Sequence, residues 1–371
     1  MFTTLDSFDT EFPADSVECC PVNEFHRVIA CGTYLLVPPD DKKSQPSHSD
    51  GRIGKVHLLL IDANGKLTSI NNTNVPAVFD MKWANARLCD KVLLGVANSS
   101  GSLQMFQLEN DVEEKPKLSL IDEIKIAPED TTTMALSLDW SIGKWSDDMC
   151  QDSNIVGSYS NGAISLFKLD GEGFKEITSW SAHQFETWTA AFDYWNSNVI
   201  YSGGDDCKFQ RFDTRVGSKP TNVNRSHTAG VTSIRSDPFR EFSLTTGSYD
   251  ETLRFWDTRK LRAPLGETVL GGGIWRIKWD PFDRERLLTA CMYGGFKVVD
   301  CKRPEVPIVH KECLEHGSIA YGCDWSFIEP EKSSHEALIV TCSFYNHLLR
   351  SSLLSMTDVE SINSYINKTE I

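Results

Sequence analysis

Short apolar runs separated by single turns recur along most of this chain. Residues 245–259, TTGSYDETLRFWDTR, hold two such runs on either side of a turn at Tyr249 and Asp250. The preceding unit, YSGGDDCKFQRFDTR, has the same order of apolar and turn positions. Paired apolar runs around a turn indicate two antiparallel strands, so the pattern predicts a chain built from hairpins.

Related strand–turn–strand units occur on both sides of this pair, and each follows an apolar strand with a fixed end position. Those strand-end positions are Trp83, Trp140, Phe192, Ser236, Trp279 and Trp325. The intervals between them are 57, 52, 44, 43 and 46 residues. A four-stranded propeller blade takes about 40 to 45 residues, and the longer early intervals leave room for loop insertions.

A seventh unit fits at the front of the chain, with SVECCP, VIACGTYLLV and KVHLLLID as its strands. The sequence therefore predicts an all-β, seven-bladed propeller over residues 1–355, followed by a tail at 356–371. Residues 2–9 are left over at the start. We expect them to form the outer strand of the last blade, which would leave no sheet edge open.

Composition narrows the range of partners. The chain has 37 Lys and Arg against 52 Asp and Glu, a formal net charge of -15. This balance argues against sequence-independent binding to nucleic acid or to anionic membranes. The sequence shows no apolar run of membrane-spanning length and no signal peptide at its start, which predicts a soluble cytoplasmic protein.

The 11 cysteines are scattered and form no CxxC pair. This pattern favours reduced, core-filling thiols, and it predicts neither a metal site nor a cofactor. Motifs for a nucleophile elbow, a metalloprotease helix, a P-loop and a dinucleotide fingerprint are also missing from the sequence. Motifs alone would thus favour a scaffold for other proteins.

Polar positions repeat with the hairpins. His227, Thr246, Asp250 and Trp256 have the spacing of the hydrogen-bonded tetrad of a WD repeat, and His183, Ser202 and Asp206 match it one unit earlier. We interpret these residues as scaffold, because buried polar groups in repeats usually satisfy one another. The last unit departs from the pattern, with Cys342 and Asn346 in place of the hydroxyl and the Asp.

Equivalent positions in successive blades predict two rings on one face. Four residues before each strand end stand Phe79, Leu136, Trp188, Thr232, Trp275 and Tyr321. Immediately before each turn stand Ser99, Ser160, Asp205, Tyr249 and Tyr345. The aromatic members, with Glu186 and Asp205 at the edge, predict a basin for a bulky, poorly hydrated cation such as a quaternary ammonium group. The alternative is that these aromatics pack between blades.

Several stretches resemble one family of WD-repeat proteins, the diphthine methyl ester hydrolases of diphthamide biosynthesis. They include ADSVECCP, FDMKW, LSLDWSIGK, SAHQFETWTAAFDYW, GGGIWRIKWDPF, ACMYGGFKV, YGCDWS and TCSFYNH, and they cover most of the chain. The resemblance implies hydrolysis of the methyl ester of methylated diphthine on translation elongation factor 2. That substrate carries a trimethylammonium group beside the ester. The rival interpretation is a non-catalytic WD-repeat adaptor that binds partner proteins on the same face.

Ester hydrolysis would need a nucleophile, a base and donors to the oxyanion. We expect direct attack by water, with Asp205, Glu186 or His347 as the base. Tyr249 or Tyr345 would donate to the oxyanion, while Trp188, Trp275 and Tyr321 would bind the substrate. Cys342 or Cys291 is the rival nucleophile, although a buried thiol at such a position is usually inert.

Overall fold

The computed structural model describes residues 2–38, 51–126, 130, 132–144, 150, 153–170, 173–282, 284–329 and 336–355. The predicted tail at 356–371 lies outside the described residues. Within the described part there are 29 β-strands and one short 3-10 helix, Asn23–Phe25. No helix in this part is long and apolar enough to cross a membrane, and no group of His, Cys, Asp and Glu in it has the geometry of a metal site.

The strands form seven antiparallel sheets, the blades, arranged mostly in chain order. Blade 1 contains β2 (Ala14–Cys19), β3 (Val28–Thr33), β4 (Leu35–Leu36), β5 (Arg52–Ile61) and β6 (Leu67–Pro76). Blade 2 contains β7 (Val78–Trp83), β8 (Val92–Asn98), β9 (Ser102–Asn110) and β10 (Pro116–Lys125). Blade 3 contains β11 (Ala135–Trp140), β12 (Ser153–Tyr159), β13 (Ala163–Asp170) and β14 (Gly173–Ser181).

The remaining blades follow the same plan. Blade 4 contains β15 (Thr189–Asp193), β16 (Asn196–Gly203), β17 (Phe209–Asp213) and β18 (Asn222–Asn224). Blade 5 contains β19 (Val231–Ser236), β20 (Ser243–Ser248), β21 (Thr252–Asp257) and β22 (Gly266–Val269). Blade 6 contains β23 (Arg276–Trp279), β24 (Arg286–Ala290), β25 (Phe296–Asp300) and β26 (Ile308–Cys313).

Blade 7 joins the two ends of the described chain. It contains β27 (Ala320–Trp325), β28 (Glu336–Ser343), β29 (Leu348–Ser355) and, paired antiparallel with β29, the first strand β1 (Phe2–Asp9). The pairing covers the outer side of β29, so that blade has four strands, as blades 2 to 6 have. The architecture confirms the predicted seven-bladed all-β propeller.

Burial explains the order of strands within a blade. The inner strand β11, ALSLDW, is buried along its whole length, whereas the outer strand β14, GFKEITSWS, is mostly exposed. Strands next to the axis have neighbours on both faces and therefore carry continuous apolar runs. Outer strands face water and alternate polar with apolar side chains.

Tryptophans at the strand ends tie neighbouring blades together. The indole Nε1 of Trp83 donates to the carbonyl of Glu18 at 3.1 Å, and that of Trp140 donates to Lys82 at 3.0 Å. Trp325 repeats this contact with the carbonyl of the residue at position 278, also at 3.0 Å. Each of these three rings thus fills the interface between blades while its one polar atom is satisfied.

The WD tetrads form as the sequence predicts. His227 Nδ1 lies 2.9 Å from Asp250 Oδ2, and its Nε2 lies 2.8 Å from Thr246 Oγ1, which also accepts from Trp256 Nε1 at 2.9 Å. In blade 4, His183 makes the corresponding bonds, each 2.8 Å long, to Asp206 and Ser202. These residues are satisfied within the scaffold and are not free for chemistry.

Blade 7 does have a hydroxyl group bonded to its tetrad histidine, although the sequence pattern placed Cys342 at that position. His316 Nε2 bonds Thr341 Oγ1 at 2.9 Å, and its Nδ1 bonds Ser343 Oγ at 2.8 Å. The hydroxyl is therefore one residue earlier than predicted. The reason is a turn that is one residue longer in this blade, with Asn346 donating to the carbonyl of His316 at 2.7 Å.

Candidate functional site

The inner strands share an irregularity at one position. The pairing register shifts around the second residue of β2, β7, β11, β19 and β27, which leaves one residue without a partner in each. A β-bulge of this kind re-aims the extra side chain. The bulged residues are Asp15, Phe79, Leu136, Thr232 and Tyr321. Trp188 and Trp275 stand at the matching place, directly before β15 and β23.

These seven residues form what we call the axial ring. It contains all six first-ring residues predicted from the sequence, and it adds Asp15 from blade 1. The same offset from the strand end would have identified Asp15, since it stands four residues before Cys19. The sequence prediction omitted it because SVECCP has no bulky strand-end residue to count from.

Four aromatic side chains of the predicted site lie in mutual contact, and we call them the aromatic basin. Trp188, Tyr249, Trp275 and Tyr321 come from four consecutive blades. The ring centroids of Trp188 and Trp275 are 5.6 Å apart, and Tyr249 lies 6.0 Å from both of them. Trp275 and Tyr321 are 5.2 Å apart. All four side chains are partly exposed, and the guanidinium carbon of Arg276 lies 5.7 Å from the centroid of the Trp275 ring.

Blade 7 contributes Phe344 to this surface at the place where the sequence predicted Tyr345. The Phe344 N–H donates to the carbonyl of Ile319 at 3.0 Å, which is the pairing that Tyr249 makes with Gly230 at 2.9 Å. Phe344 lies 5.2 Å from Tyr321 and 5.1 Å from Tyr345. Tyr345 is 69% exposed and stands outside Phe344. Its role in binding stays a prediction.

The belt of rings continues past Phe344 into blades 1 and 2. Tyr34 lies 5.9 Å from Phe344 and 5.4 Å from Phe79. The sequence prediction missed Tyr34, although its N–H donates to the carbonyl of Pro13 at 2.9 Å as the pre-turn residues of other blades do. The short strand β4 begins directly after Tyr34, so the sequence reads there as a continuous apolar run and shows no turn.

Acidic groups border the basin at blade 4. The Trp188 Nε1 donates to Asp205 Oδ1 at 3.0 Å, which fixes the carboxylate at the edge of the indole. Gly230 makes room for this contact, because a Cβ there would lie 2.6 Å from Asp205 Oδ1 and 3.1 Å from Tyr249 Cδ2. Glu186 accepts the Asp205 N–H through its backbone carbonyl at 2.9 Å and is half-buried.

The tyrosines of the basin are neutral donors. Burial raises the pKa of Tyr249, and nearby Tyr321 and Asp205 raise it further. Burial likewise raises the pKa of Tyr321, with a second contribution from Asp15. Their hydroxyls therefore keep their protons near neutral pH, and the negative charge in the basin comes from carboxylates alone.

His347 and the two cysteines occupy other surroundings. His347 lies in the turn before β29, where its carbonyl accepts from the Thr10 N–H at 2.9 Å. No hydrogen bond or ring contact joins its side chain to the basin in the described chain, and its role as a base stays a prediction. Cys342 and Cys291 are fully buried. Burial raises the pKa of Cys291 to about 12 and that of Cys342 well above the ordinary value, so both are protonated thiols.

Charged side chains fill the channel beneath the basin. Arg276 reaches across it and donates from Nη2 to the carbonyl of Phe79 at 2.6 Å, with Asp80 Oδ1 at 3.3 Å. Deeper pairs are Lys82 with Asp80, Arg235 with Asp139, and Lys278 with Glu18 and Asp324. The basin thus has an aromatic wall with a carboxylate at its border, which suits a methylated cation, and it lies above a channel of paired charges.

Comparisons with known proteins agree with the fold. Residues 218–257 match the family model described as "WD domain, G-beta repeat". A chain from a "Crystal Structure of Mitotic Checkpoint Complex" superposes with a TM-score of 0.67, covering 95% of this chain and 92% of that one. At 15% sequence identity, this similarity supports the propeller architecture only.

Relatives with higher identity share a name. "Diphthine methyltransferase" of Homo sapiens is 39% identical over 87% of this chain and 75% of its own length. "Diphthine methyltransferase homolog" of Dictyostelium discoideum is 36% identical over 91% of this chain and 96% of its own. The Saccharomyces cerevisiae protein of the same name is 30% identical over 94% of this chain and 97% of its own.

These names correct the activity that the resemblance implied. They describe transfer of a methyl group, whereas the sequence prediction was hydrolysis of a methyl ester, so the predicted ester hydrolase is wrong. They agree with the predicted link to diphthine. They also weaken the alternative of a non-catalytic adaptor, because the relatives are named as enzymes.

Proposed function

Since this chain belongs to the family of proteins named diphthine methyltransferase, we propose that it acts on diphthine in a methyl-transfer reaction. The aromatic basin binds the trimethylammonium group of diphthine. The protein bearing that group is translation elongation factor 2, and the reaction takes place in the cytoplasm. The chemistry of the group and the make-up of the basin support this assignment.

The observation that carries the proposal is the contact among Trp188, Tyr249, Trp275 and Tyr321, all within 5.2 to 6.0 Å of a neighbouring ring. A trimethylammonium group is large, apolar on its outside and positively charged. Ring faces attract such a cation by their quadrupole, with about 0.5 to 2 kcal/mol for each well-placed ring. Asp205 adds Coulomb attraction at the edge.

Exposed aromatics near the basin support a macromolecular substrate. Tyr293 is 81% exposed, Tyr345 is 69% exposed and Phe185 is 58% exposed. Aromatic side chains with this much exposure are common anchors in protein interfaces. A segment of the elongation factor resting on them would present its modified histidine to the basin.

In the proposed reaction, a sulfonium compound would supply the methyl group: its bond from sulfur to the methyl carbon breaks as a bond from that carbon to the acceptor oxygen forms, and the donor leaves as a neutral thioether with the bonding electron pair. A carboxylate oxygen of diphthine already carries the electron pair that it needs, so no base has to remove a proton. The residues of the basin bind and orient the acceptor through its cationic group. Orientation alone contributes a large part of the rate in such two-partner reactions.

The test uses the purified chain and elongation factor 2 that carries diphthine, together with a sulfonium methyl donor. Mass spectrometry of the peptide with the modified histidine measures the number of methyl groups. We expect the peptide to gain one methyl group with the wild type. Trp188→Ala should reduce the rate about tenfold, because it removes a ring of the basin.

Trp195→Ala is the matched control, since Trp195 lies two residues after the end of β15 and is also partly exposed, with the Lys144 ammonium over its ring. It should react at the wild-type rate. An unchanged peptide with the wild type would overturn the proposed reaction, and loss of a methyl group would contradict its direction. Equal rates for Trp188→Ala and the wild type would remove the basin from the binding site.

A further inference from the structure

Asp15 brings a carboxyl group into the axial ring beside the basin. It is the bulged residue of β2, with Ala14 paired to Thr33 and Ser16 paired to Gly32 on either side. Its place therefore matches those of Trp275 and Tyr321 in blades 6 and 7. Among the seven ring residues it is the one with an ionisable carboxyl group, and it is 4% exposed.

Polar atoms around Asp15 lack partners. Asp15 Oδ1 and Trp275 Nε1 are both buried and find no well-aligned hydrogen-bond partner within the described chain, although the indole N–H faces the carboxyl group and lowers its pKa. The nearest cation is Arg276, whose Nη2 lies 3.9 Å from Asp15 Oδ1 but only 3.3 Å from Asp80 Oδ1. The same Nη2 donates to the Phe79 carbonyl at 2.6 Å. Arg276 is thus shared, and it leaves the charge of Asp15 incompletely compensated.

The surroundings of Asp15 disfavour its ionised form in the empty site. Burial raises the pKa of Asp15 to about 7 in spite of attraction by Arg276, and repulsion by Asp80 adds to the rise. The other titratable groups whose charges couple to it are Tyr249, Tyr321 and Cys342. Burial raises the pKa of each of those three, so all are neutral near pH 7 and none compensates the carboxylate.

We propose that Asp15 is the inner counter-ion of the aromatic basin, and that a quaternary ammonium ligand displaces a proton from its carboxyl group on binding. This inference rests on the proposed function, in which the basin binds such a ligand. A cation held against Trp275 and Tyr321 brings a positive charge next to Asp15. The ionised carboxylate then gains the compensation that Arg276 does not provide.

The coupling between ligand binding and ionisation of Asp15 sets the direction in which pH changes the affinity. The ligand binds the ionised form more tightly, and the ionised fraction of Asp15 in the empty site rises as the pH passes through about 7. The affinity therefore rises as the pH passes 7, by up to about tenfold between about pH 6 and pH 8. Near pH 7, binding releases about half a proton for each ligand bound.

The experiment measures binding of choline, which carries a trimethylammonium group, to the full chain by isothermal titration calorimetry. Titrations at about pH 6 and pH 8 give the affinities. Titrations near pH 7 in two buffers of different ionisation enthalpy count the protons released. The neutral analogue with a tert-butyl group in place of the trimethylammonium serves as the uncharged ligand.

Two variants distinguish Asp15 from the other buried carboxyl group that titrates in this range. Burial raises the pKa of Glu18 to about 7 as well, in spite of its pairing with Lys278 deeper in the channel. Asp15→Asn should bind choline with equal affinity at both pH values and release no proton. Glu18→Gln should keep the wild-type pH dependence, and the neutral analogue should show none with any form of the protein.

Each outcome separates the two proposals. Failure of the wild type to bind choline at either pH would overturn the basin as a quaternary ammonium site. Binding that is equal at the two pH values would overturn the role of Asp15 alone. A pH dependence that persists in Asp15→Asn but disappears in Glu18→Gln would assign the proton to Glu18 instead. Proton release by the wild type tests the linkage even if Asp15→Asn fails to fold.

Discussion

At the scale of single residues, one backbone position produces different chemistry in different blades. The axial ring has an indole at Trp188, a hydroxyl at Thr232 and a carboxyl at Asp15, all at the same place in an inner strand. Thr232 turns its hydroxyl to the carbonyl of Ile274 at 2.5 Å, with the carbonyl of Gly247 at 3.3 Å, and so belongs to the scaffold. Trp188 instead contacts the rings of Tyr249 and Trp275, and Asp15 Oδ1 makes no hydrogen bond to a backbone group in the described part of the chain, which is why we place both in the site.

Asp205 combines two roles that a single substitution can separate. It accepts a hydrogen bond from Trp188, and it carries a charge at the border of the basin. Asp205→Asn keeps an acceptor for the indole and removes the charge. We expect the affinity for choline to fall about two- to fivefold, since an exposed charge pair contributes about 1 kcal/mol or less.

Binding of choline and of its neutral tert-butyl analogue, followed by calorimetry, checks this expectation. The neutral analogue should bind Asp205→Asn as it binds the wild type. Asp213→Asn provides the control, because that carboxylate pairs with Arg215 away from the basin. An equal loss of affinity for both ligands would mean that Asp205 acts by holding Trp188 in place.

At the scale of the element, two local features recur in the blades: a β-bulge in the inner strand and a hydrogen-bonded tetrad. The bulge near the start of the inner strand turns a side chain toward the axis, and the tetrad near the outer face fixes the hairpins. The tetrad of blade 5 centres on Thr246 Oγ1, which bonds both His227 and Trp256. Both partners are buried, so the hydroxyl satisfies two polar atoms that have no access to water.

Thr246→Val should lower the free energy of unfolding by about 2 to 4 kcal/mol, because it leaves two buried polar groups unsatisfied. Thr245→Val is the matched control on the same strand, since Thr245 Oγ1 is buried and has no hydrogen-bond partner among the residues that the structure describes. That variant should be as stable as the wild type or more stable. Denaturant unfolding measures both, and equal losses for the two variants would show that the tetrad bond contributes nothing beyond packing.

At the scale of the whole molecule, closure of the ring depends on the first strand. β1 pairs with β29 from Phe2 opposite Leu354 to Asp9 opposite Leu348. Phe2 is 8% exposed and packs in the cluster that also contains Trp325 and Leu354. The strand covers what would otherwise be an open sheet edge, and the ring of blades in turn holds the basin residues of blades 4 to 7 in contact.

Phe2→Ala should destabilise the protein by about 3 kcal/mol, because it removes a buried ring at the closure. Thr4→Ala, on the exposed side of the same strand, should change the stability by no more than about 0.5 kcal/mol. Thermal unfolding compares the two. A loss for Phe2→Ala as small as that for Thr4→Ala would show that β1 is not essential for closure.

The sequence by itself determined the repeat, the number of blades and most of the axial ring. The reason is that apolar periodicity and tetrad spacing are local properties, and a repeat multiplies them. Trp188, Tyr249, Trp275 and Tyr321 could be selected in this way. The resemblance correctly pointed to diphthine, but it implied removal of a methyl group by hydrolysis where the names of the relatives describe methyl transfer. The reason is that the motifs of a fold do not specify a reaction.

Only the tertiary structure decided which residues complete the site. Phe344 replaced Tyr345 because the turn of blade 7 is longer by one residue, and backbone pairing rather than residue type reveals the shift. The protonation of Asp15 depends on Arg276, which is 261 positions away in the sequence, although its Nη2 lies 3.9 Å from Asp15 Oδ1 in the fold. Burial and compensation of charge arise between distant segments, so no local pattern contains them.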